Sequence, residues 1–349
     1  MLLIKYSDDA QRGDRLLPGI YAHYAFGFRA LKASGRQGEE MLDTHREAFL
    51  LGCQGPDFCY YHMMRPGVDT DAWMNLAKTL HSQKIGQMMR EALMLTLKVK
   101  NNAVRAYFLG YITHYALDAY THPYVFHHCN QKRYHLQFES AIDRCLMLRD
   151  GFDPSRTPLY TLLGNVEKAQ LKAITVFWHT LLQNVYNTHI SQRELEQALT
   201  EMRRAFRLSL SRFGIKKRIL ETAAGRWGLK DDLLALFYAD VHIIKDDYLN
   251  EKRQPWSLPW DKSQERDLSF TMIEEEASAF ACMCLEAVLS CWEGKNTLAG
   301  TLGCIGQMSM LTGEDWHMEY DVEANVSERF FPGDRQENRR EGERRIWQH

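Results

Sequence analysis

Apolar residues recur at intervals of three and four along most of the chain, and no convincing run shows the period of two that marks a half-buried strand. The pattern predicts helices over residues 18–34, 37–52, 70–98, 100–122, 133–148, 163–188, 192–212, 228–246 and 268–295, with a shorter one near 297–311. Breakers fall between them: Gly55-Pro56, Arg65-Pro66-Gly67, Pro123, Asp153-Pro154, and the stretch from Gln254 to Trp260 that holds Pro255 and Pro259. Ser191 followed by Glu194 has the spacing of a capping box, which starts the 192–212 helix. From about Asn325 the chain turns charged and poor in apolar residues, the composition of a mobile tail or of an arm docked on a partner. The expected fold is all-α, a helical bundle with additional C-terminal helices. Residues 1–160 are expected to form one helical domain, 161–320 to add helices packed on it (or to continue the same domain), and 321–349 to form the charged tail.

Composition narrows the setting. A chain of 349 residues has room for one large domain or two smaller ones. Apolar residues at 45% and charged residues at 25% are ordinary for a soluble globular protein. The net charge of −2 gives no global field toward polyanions, so nucleic acid is not favoured as a partner. Asp8, Asp9 and Asp14 interrupt the place where a signal peptide would be apolar. No stretch reaches the ~18 uncharged apolar residues of a transmembrane segment, and the default expectation is the cytoplasm. None of the eight cysteines lies in a CxxC pair, so they read as small buried hydrophobes rather than a thiolate zinc site. Any bound metal must then be held by His and carboxylates.

Such residues are concentrated in one segment. His114, Asp118 and His122 are spaced by four, so on a helix they form one stripe among Ile112, Ala116 and Leu117. Three ionisable groups turned inward are costly without a partner, and a cation that takes both imidazole and carboxylate suits them. Pro123 is expected to stop this helix directly after His122. His135 and Glu139 repeat the four-residue spacing, with Asp143 one turn further on the same face. The intervening loop permits a reversal that would bring the two short ligand rows together. His127 and His128 lie in that loop and stand as alternatives to His122. Other metal templates fit less well: there is no His-Asp dipeptide, no HExxH motif, and only Glu314–His317 has Glu-x-x-His spacing.

The run Gly110-Tyr111-Ile112-Thr113-His114-Tyr115-Ala116-Leu117-Asp118 through His122-Pro123, followed by His135 and Glu139, resembles the bacterial zinc-dependent phospholipase C family. Gln54-Gly55-Pro56-Asp57-Phe58 is similar to that family's Gly-Pro-Asp element, Leu17-Pro18-Gly19 with His23 to its N-terminal His segment, and Leu80-His81 to a further ligand position. The resemblance covers roughly residues 17–145. It implies an all-α bundle holding two or three zinc ions in a cleft, related to the fold of fungal single-strand nucleases. Carried over, one ion would take Asp57, His81, His114 and Asp118; a second would take His122, His135 and Glu139; a third would take His23 and share Asp118. Asp57 is also the implied catalytic general base. In the secreted members the mature amino terminus helps to ligate the third zinc, whereas twenty-two residues precede His23 in this chain. A third site would therefore be completed by water or another side chain.

The implied reaction is attack of metal-activated water on the phosphorus of a phosphodiester, a small molecule or a lipid headgroup. Two other outcomes share the fold: a binding or scaffold protein that keeps the metals without turnover, and a nuclease-like phosphoesterase. The aromatics crowded around the motifs read first as core packing whose hydroxyls support the ligands. Trp256 and Trp260, beside Pro255 and Pro259, suit either a lid or a rigid connection between helices.

Overall fold

In a computed structural model, residues 19–62, 67–129, 132–154, 156–209 and 246–315 are described. Among them the chain is all-α. Eleven helices follow in order: α1 (Ile20–Ala33), α2 (Arg36–Gly52), α3 (Phe58–His62), α4 (Thr70–Ser82), α5 (Ile85–Val99), α6 (Asn102–His128), α7 (Lys132–Arg149), α8 (Lys168–Tyr186), α9 (Gln192–Ser209), α10 (Phe270–Trp292) and α11 (Leu298–Ile305). The candidate helix at 228–246 and the charged tail lie almost wholly or wholly outside the described residues.

Helix α6 is the axis of the bundle. Its apolar residues point in every direction, as expected of a helix wrapped on all sides, and nearly every position from Ala103 to Val125 is buried. The Asn101 side chain opens it by accepting the Val104 amide at 3.1 Å. Helices α1, α2, α8 and α10 pack around it. One apolar core runs from Ile20 through Trp178, buried with its indole N–H donated to the Tyr107 hydroxyl at 2.6 Å, to Met310. Asp143 on α7 accepts the amides of Tyr21 and Ala22, each at 2.9 Å, and so caps the start of α1. Burial pushes the Asp143 carboxyl up to about 6, against those two hydrogen bonds.

Several elements differ from the periodic reading, which placed no helix at α3. Pro123 does not end α6, which continues to His128. A proline inside a helix removes one hydrogen bond, and burial of Tyr124 and Val125 beyond it, with the Tyr124 hydroxyl bonded to Tyr248 O at 2.8 Å, offsets that loss. The single helix expected over 70–98 is two, α4 and α5, with Lys84 left-handed at φ 55° between them. Lys84 is held there by its ammonium, which donates to Val185 O at 3.0 Å, a contact made across 101 residues of sequence. The 163–188 helix starts only at Lys168, and the one at 297–311 ends at Ile305. Trp256–Ser257 and Glu265–Arg266 pair as a two-residue antiparallel hairpin. Trp256 is buried in that connection, with its indole donating to Leu268 O at 3.0 Å, so it is a rigid joint and not a lid.

Helices α2 and α6 pack with their backbones in close approach. Any Cβ on Gly52 would overlap the Tyr107 carbonyl, and any Cβ on Gly110 the Phe49 carbonyl. Backbone therefore meets backbone, and this proximity brings the carbonyl at the end of α2 to the ring of His114. In Gly110→Ala the overlap is expected to outweigh the ~1 kcal/mol that Ala gains inside a helix. The net loss should reach about 1–3 kcal/mol, as for other overpacked cores. A lower denaturant midpoint would register it; an unchanged or higher one would remove the contact from the account of the fold.

Candidate metal centre

Eight side chains from five elements meet beside the middle of α6. His114, Asp118 and His122 descend that helix at four-residue steps. Asp57 comes from the turn between α2 and α3, where Gly55 has no side chain to strike the His114 ring. His23 comes from α1, His81 from the last turn of α4, and His135 and Glu139 from α7.

Their nitrogen and oxygen atoms form three compact groups: His23, His114 and Asp118; Asp57, His81 and His114; and His122, His135 and Glu139. In each, all the chosen atoms lie within 4.8 Å of one another. His81 Nε2 is 3.1 Å from Asp57 Oδ1 of its own group and 3.8 Å from Asp118 Oδ2 of the neighbouring one. Asp118 also faces His23 Nε2 at 3.2 Å, His114 Nε2 at 3.0 Å and His122 Nδ1 at 3.7 Å. Glu139 Oε1 lies 2.9 Å from His135 Nε2 and 3.5 Å from His122 Nε2. Ligands about 2.1 Å from a tetrahedral zinc stand roughly 3.4 Å apart. The spacing suits that ion.

The imidazoles are aimed by backbone. Nδ1 of His81 donates to Ala77 O at 2.7 Å, Nδ1 of His114 to Cys53 O at 3.2 Å, and Nδ1 of His122 to Met310 O at 2.6 Å. Each bond puts a proton on Nδ1 and turns Nε2 toward the carboxylates, so Nε2 is the nitrogen that a metal ion would take in place of a proton, the arrangement that orients ligating histidines. Several buried polar atoms remain unsatisfied. His23 Nδ1 and Asp57 Oδ2 have no hydrogen-bond partner among the described residues, and His114 Nε2 meets only Asp118 Oδ2, at 3.0 Å but poorly aligned. Orphaned polar atoms at this depth are rare and costly, and a cation would satisfy the latter two.

Electrostatics follow from the crowding. Burial works against the charge on Asp118, yet His114, His122 and His23 hold its carboxyl well below the usual range. Burial likewise opposes charge on Glu139, and His135 and His122 bring it down to about 2. His122, pulled down by burial but up by Asp118 and Glu139, ends at about 9. His23 is raised by Asp118 against the same burial penalty. Burial dominates at His114, whose pKa is lowered.

All eight residues singled out in the sequence lie in these groups, and the two alternatives do not. His127 Nδ1 faces Ser257 O at 2.7 Å, and His128 Nδ1 bonds Tyr124 O one turn back at 2.9 Å. Because α6 runs on past Pro123, both rings are carried a turn or more beyond His122. The orienting carbonyls of Cys53 and Met310 were invisible in the sequence, since a main-chain acceptor has no residue signature. Asp143 carried a signal, its spacing from Glu139, but it caps α1 and is absent from the three groups.

A sequence model of the zinc-dependent phospholipase C family matches residues 22–199, just over half of the chain, and the chain belongs to that family. Comparisons with curated proteins and with solved structures gave no match. No described helix is long and apolar enough to cross a membrane.

In the metal-free chain the raised pKa of His122 is a statement about stability. Its favourable contribution is complete below the ordinary imidazole value of 6.5 and is lost as pH rises through about 9. Thermal unfolding in chelator should thus show stability falling between those two values, with a shallower fall in Glu139→Gln. A flat profile in the wild-type chain would contradict the pairing of His122 with Asp118 and Glu139.

Proposed function

We propose that the chain is a zinc-dependent phosphodiester hydrolase of the phospholipase C type, built on these eight side chains. The observation that supports the reading is their convergence at ligand spacing in a buried interior, with Asp57 Oδ2 left without a hydrogen-bond partner. Asp57, His81 and His114 would hold one ion; His122, His135 and Glu139 would hold a second. His23 and Asp118 remain for a third, with Asp118 bridging. His114 cannot serve two ions at once, because Nε2 offers one lone pair.

Bound zinc supplies water of pKa near 7 in place of 15.7 and offsets charge on phosphoryl oxygens. The protein's own contribution is positioning and charge. With neutral imidazoles the set carries three negative carboxylates, so two or three dications leave the centre positive and suited to a phosphodiester anion. Asp57 divides its oxygens, Oδ1 against His81 and Oδ2 without a hydrogen-bond partner. One is available to a metal and the other to take a proton, the role of a general base.

The centre is least buried at its His122–Glu139 edge. Those side chains are 10% and 12% exposed, against at most 6% for the other six. Substrate would approach there, beside the half-buried ring of Phe126, which stacks on His122 with centroids 5.4 Å apart. A phosphodiester small molecule or a lipid headgroup would be cleaved to a phosphomonoester and an alcohol.

Protein purified without chelator should carry two or three zinc ions per chain and hydrolyse a generic aryl phosphodiester, with loss on chelation and recovery on adding zinc. Asp118→Ala should lower turnover by more than about 100-fold, beyond the 10–100-fold typical of losing an outer partner. Zinc without turnover would instead favour a binding protein that keeps its metals. A preference for dinucleotides over phosphatidylcholine would favour a nuclease-like activity, and absence of zinc would sink the hydrolase altogether.

A further inference from the structure

The segment after α11 lies more than a hundred residues beyond the family match, yet it touches the metal centre twice. The Met310 amide donates to His81 O at 2.8 Å, satisfying a carbonyl in the last turn of α4 that has no partner within its own helix. The Met310 carbonyl accepts His122 Nδ1 at 2.6 Å. One buried peptide unit on either side of Met310 thus joins the helix of one candidate ligand to the ring of another.

The segment is itself closely held. The Tyr115 hydroxyl on α6 donates to Ile305 O and accepts the Met308 amide, both at 3.0 Å. Ser309 N–H bonds Glu314 O at 2.8 Å, Gly313 N–H bonds Ser309 O at 2.9 Å, and Met308 pairs with Asp315 across a β-bridge. Its seat on α6 is specific. In an uninterrupted helix the residue-123 amide would bond the Ala119 carbonyl, but Pro123 has no amide hydrogen. Gly313, left-handed at φ 71°, lies against that carbonyl, where a Cβ would overlap the oxygen. The proline inside the metal-bearing helix and the glycine of the strap are complementary.

We propose that residues 306–315 are a positioning strap for the metal centre, fixing the His122 tautomer and thereby the affinity of the ion held by His122, His135 and Glu139. This rests on the zinc reading above. Met310 acts through His122, and Tyr115 and Gly313 act through Met310. In the full chain, Gly313→Ala unseats the strap. Tyr115→Phe, a milder change, removes one hydroxyl and keeps the ring. Gly303→Ala, on α11 where an added Cβ meets nothing within 4 Å, is the control.

Stepwise zinc release to a competing chelator should show one ion bound about 10–100-fold more weakly in both strap variants, with the remaining ions and the control unchanged. Nitrogen-15 spectra of the imidazoles should show the hydrogen-bonded Nδ1 proton of His122 in the wild type and control, and its shift or loss in the strap variants. Wild-type affinity for every ion in both variants overturns the strap, as does equal weakening of all ions in a folded Tyr115→Phe. A wild-type chain that takes up no zinc overturns the metal reading and this inference with it, whereas a zinc-loaded wild type with indifferent variants overturns the strap alone.

Discussion

A carboxylate taken as far from water as Asp118 loses several kcal/mol of hydration, and only charges or protons arranged around it can restore the balance. Asp118 is 4% exposed and lies within 4 Å of four imidazoles contributed by α1, α4 and two turns of α6. No two of those elements can shift relative to each other without stripping a partner from a buried charge. The same constraint explains why the core is all-helical at this point. Helices satisfy their own amides, so the polar capacity of the interior is left to side chains and to the few carbonyls that aim them.

Those carbonyls divide the work between local and distant sequence. Ala77 orients His81 within one helix, a contact that any helix with His at that position can make. Cys53 orients His114 only because Gly52 and Gly110 let α2 and α6 touch backbone to backbone. Met310 orients His122 across 188 residues. The pull on each ring also differs: burial wins at His114, which tends toward neutrality, while Asp118 and Glu139 win at His122, which holds its proton when no metal is present. A set tuned in opposite directions spreads affinity for protons and for cations unevenly over its members.

The bundle and the cluster of candidate ligands were legible because both are written in short-range spacing. Helices announce themselves by apolar recurrence, and ligand rows by i, i+4 pairs such as His114–Asp118 and His135–Glu139. What escaped depends on long-range contacts. The break at Lys84 is held by a carbonyl 101 residues away, and the run through Pro123 by packing of the residues beyond it. A proline rule states the local cost correctly, but it cannot weigh the tertiary burial that outbids it. The choice of His122 over His127 and His128 failed to resolve for the same reason: it turns on where α6 ends.

Pro123 also shows why a local anomaly and a functional contact coincide. A helix that kept every hydrogen bond would present a closed surface of side chains at that turn. The proline leaves the Ala119 carbonyl without its helical donor, and a chain segment that can approach closely, because Gly313 has no Cβ, occupies the place. Three residues earlier in the same segment, the Met310 carbonyl accepts His122 Nδ1. Loss of one bond in α6 is thus matched to a segment that brings a carbonyl acceptor to His122 on the same helix. The family-matched region supplies the eight clustered side chains, and Met310, more than a hundred residues beyond it, supplies the carbonyl that accepts from His122.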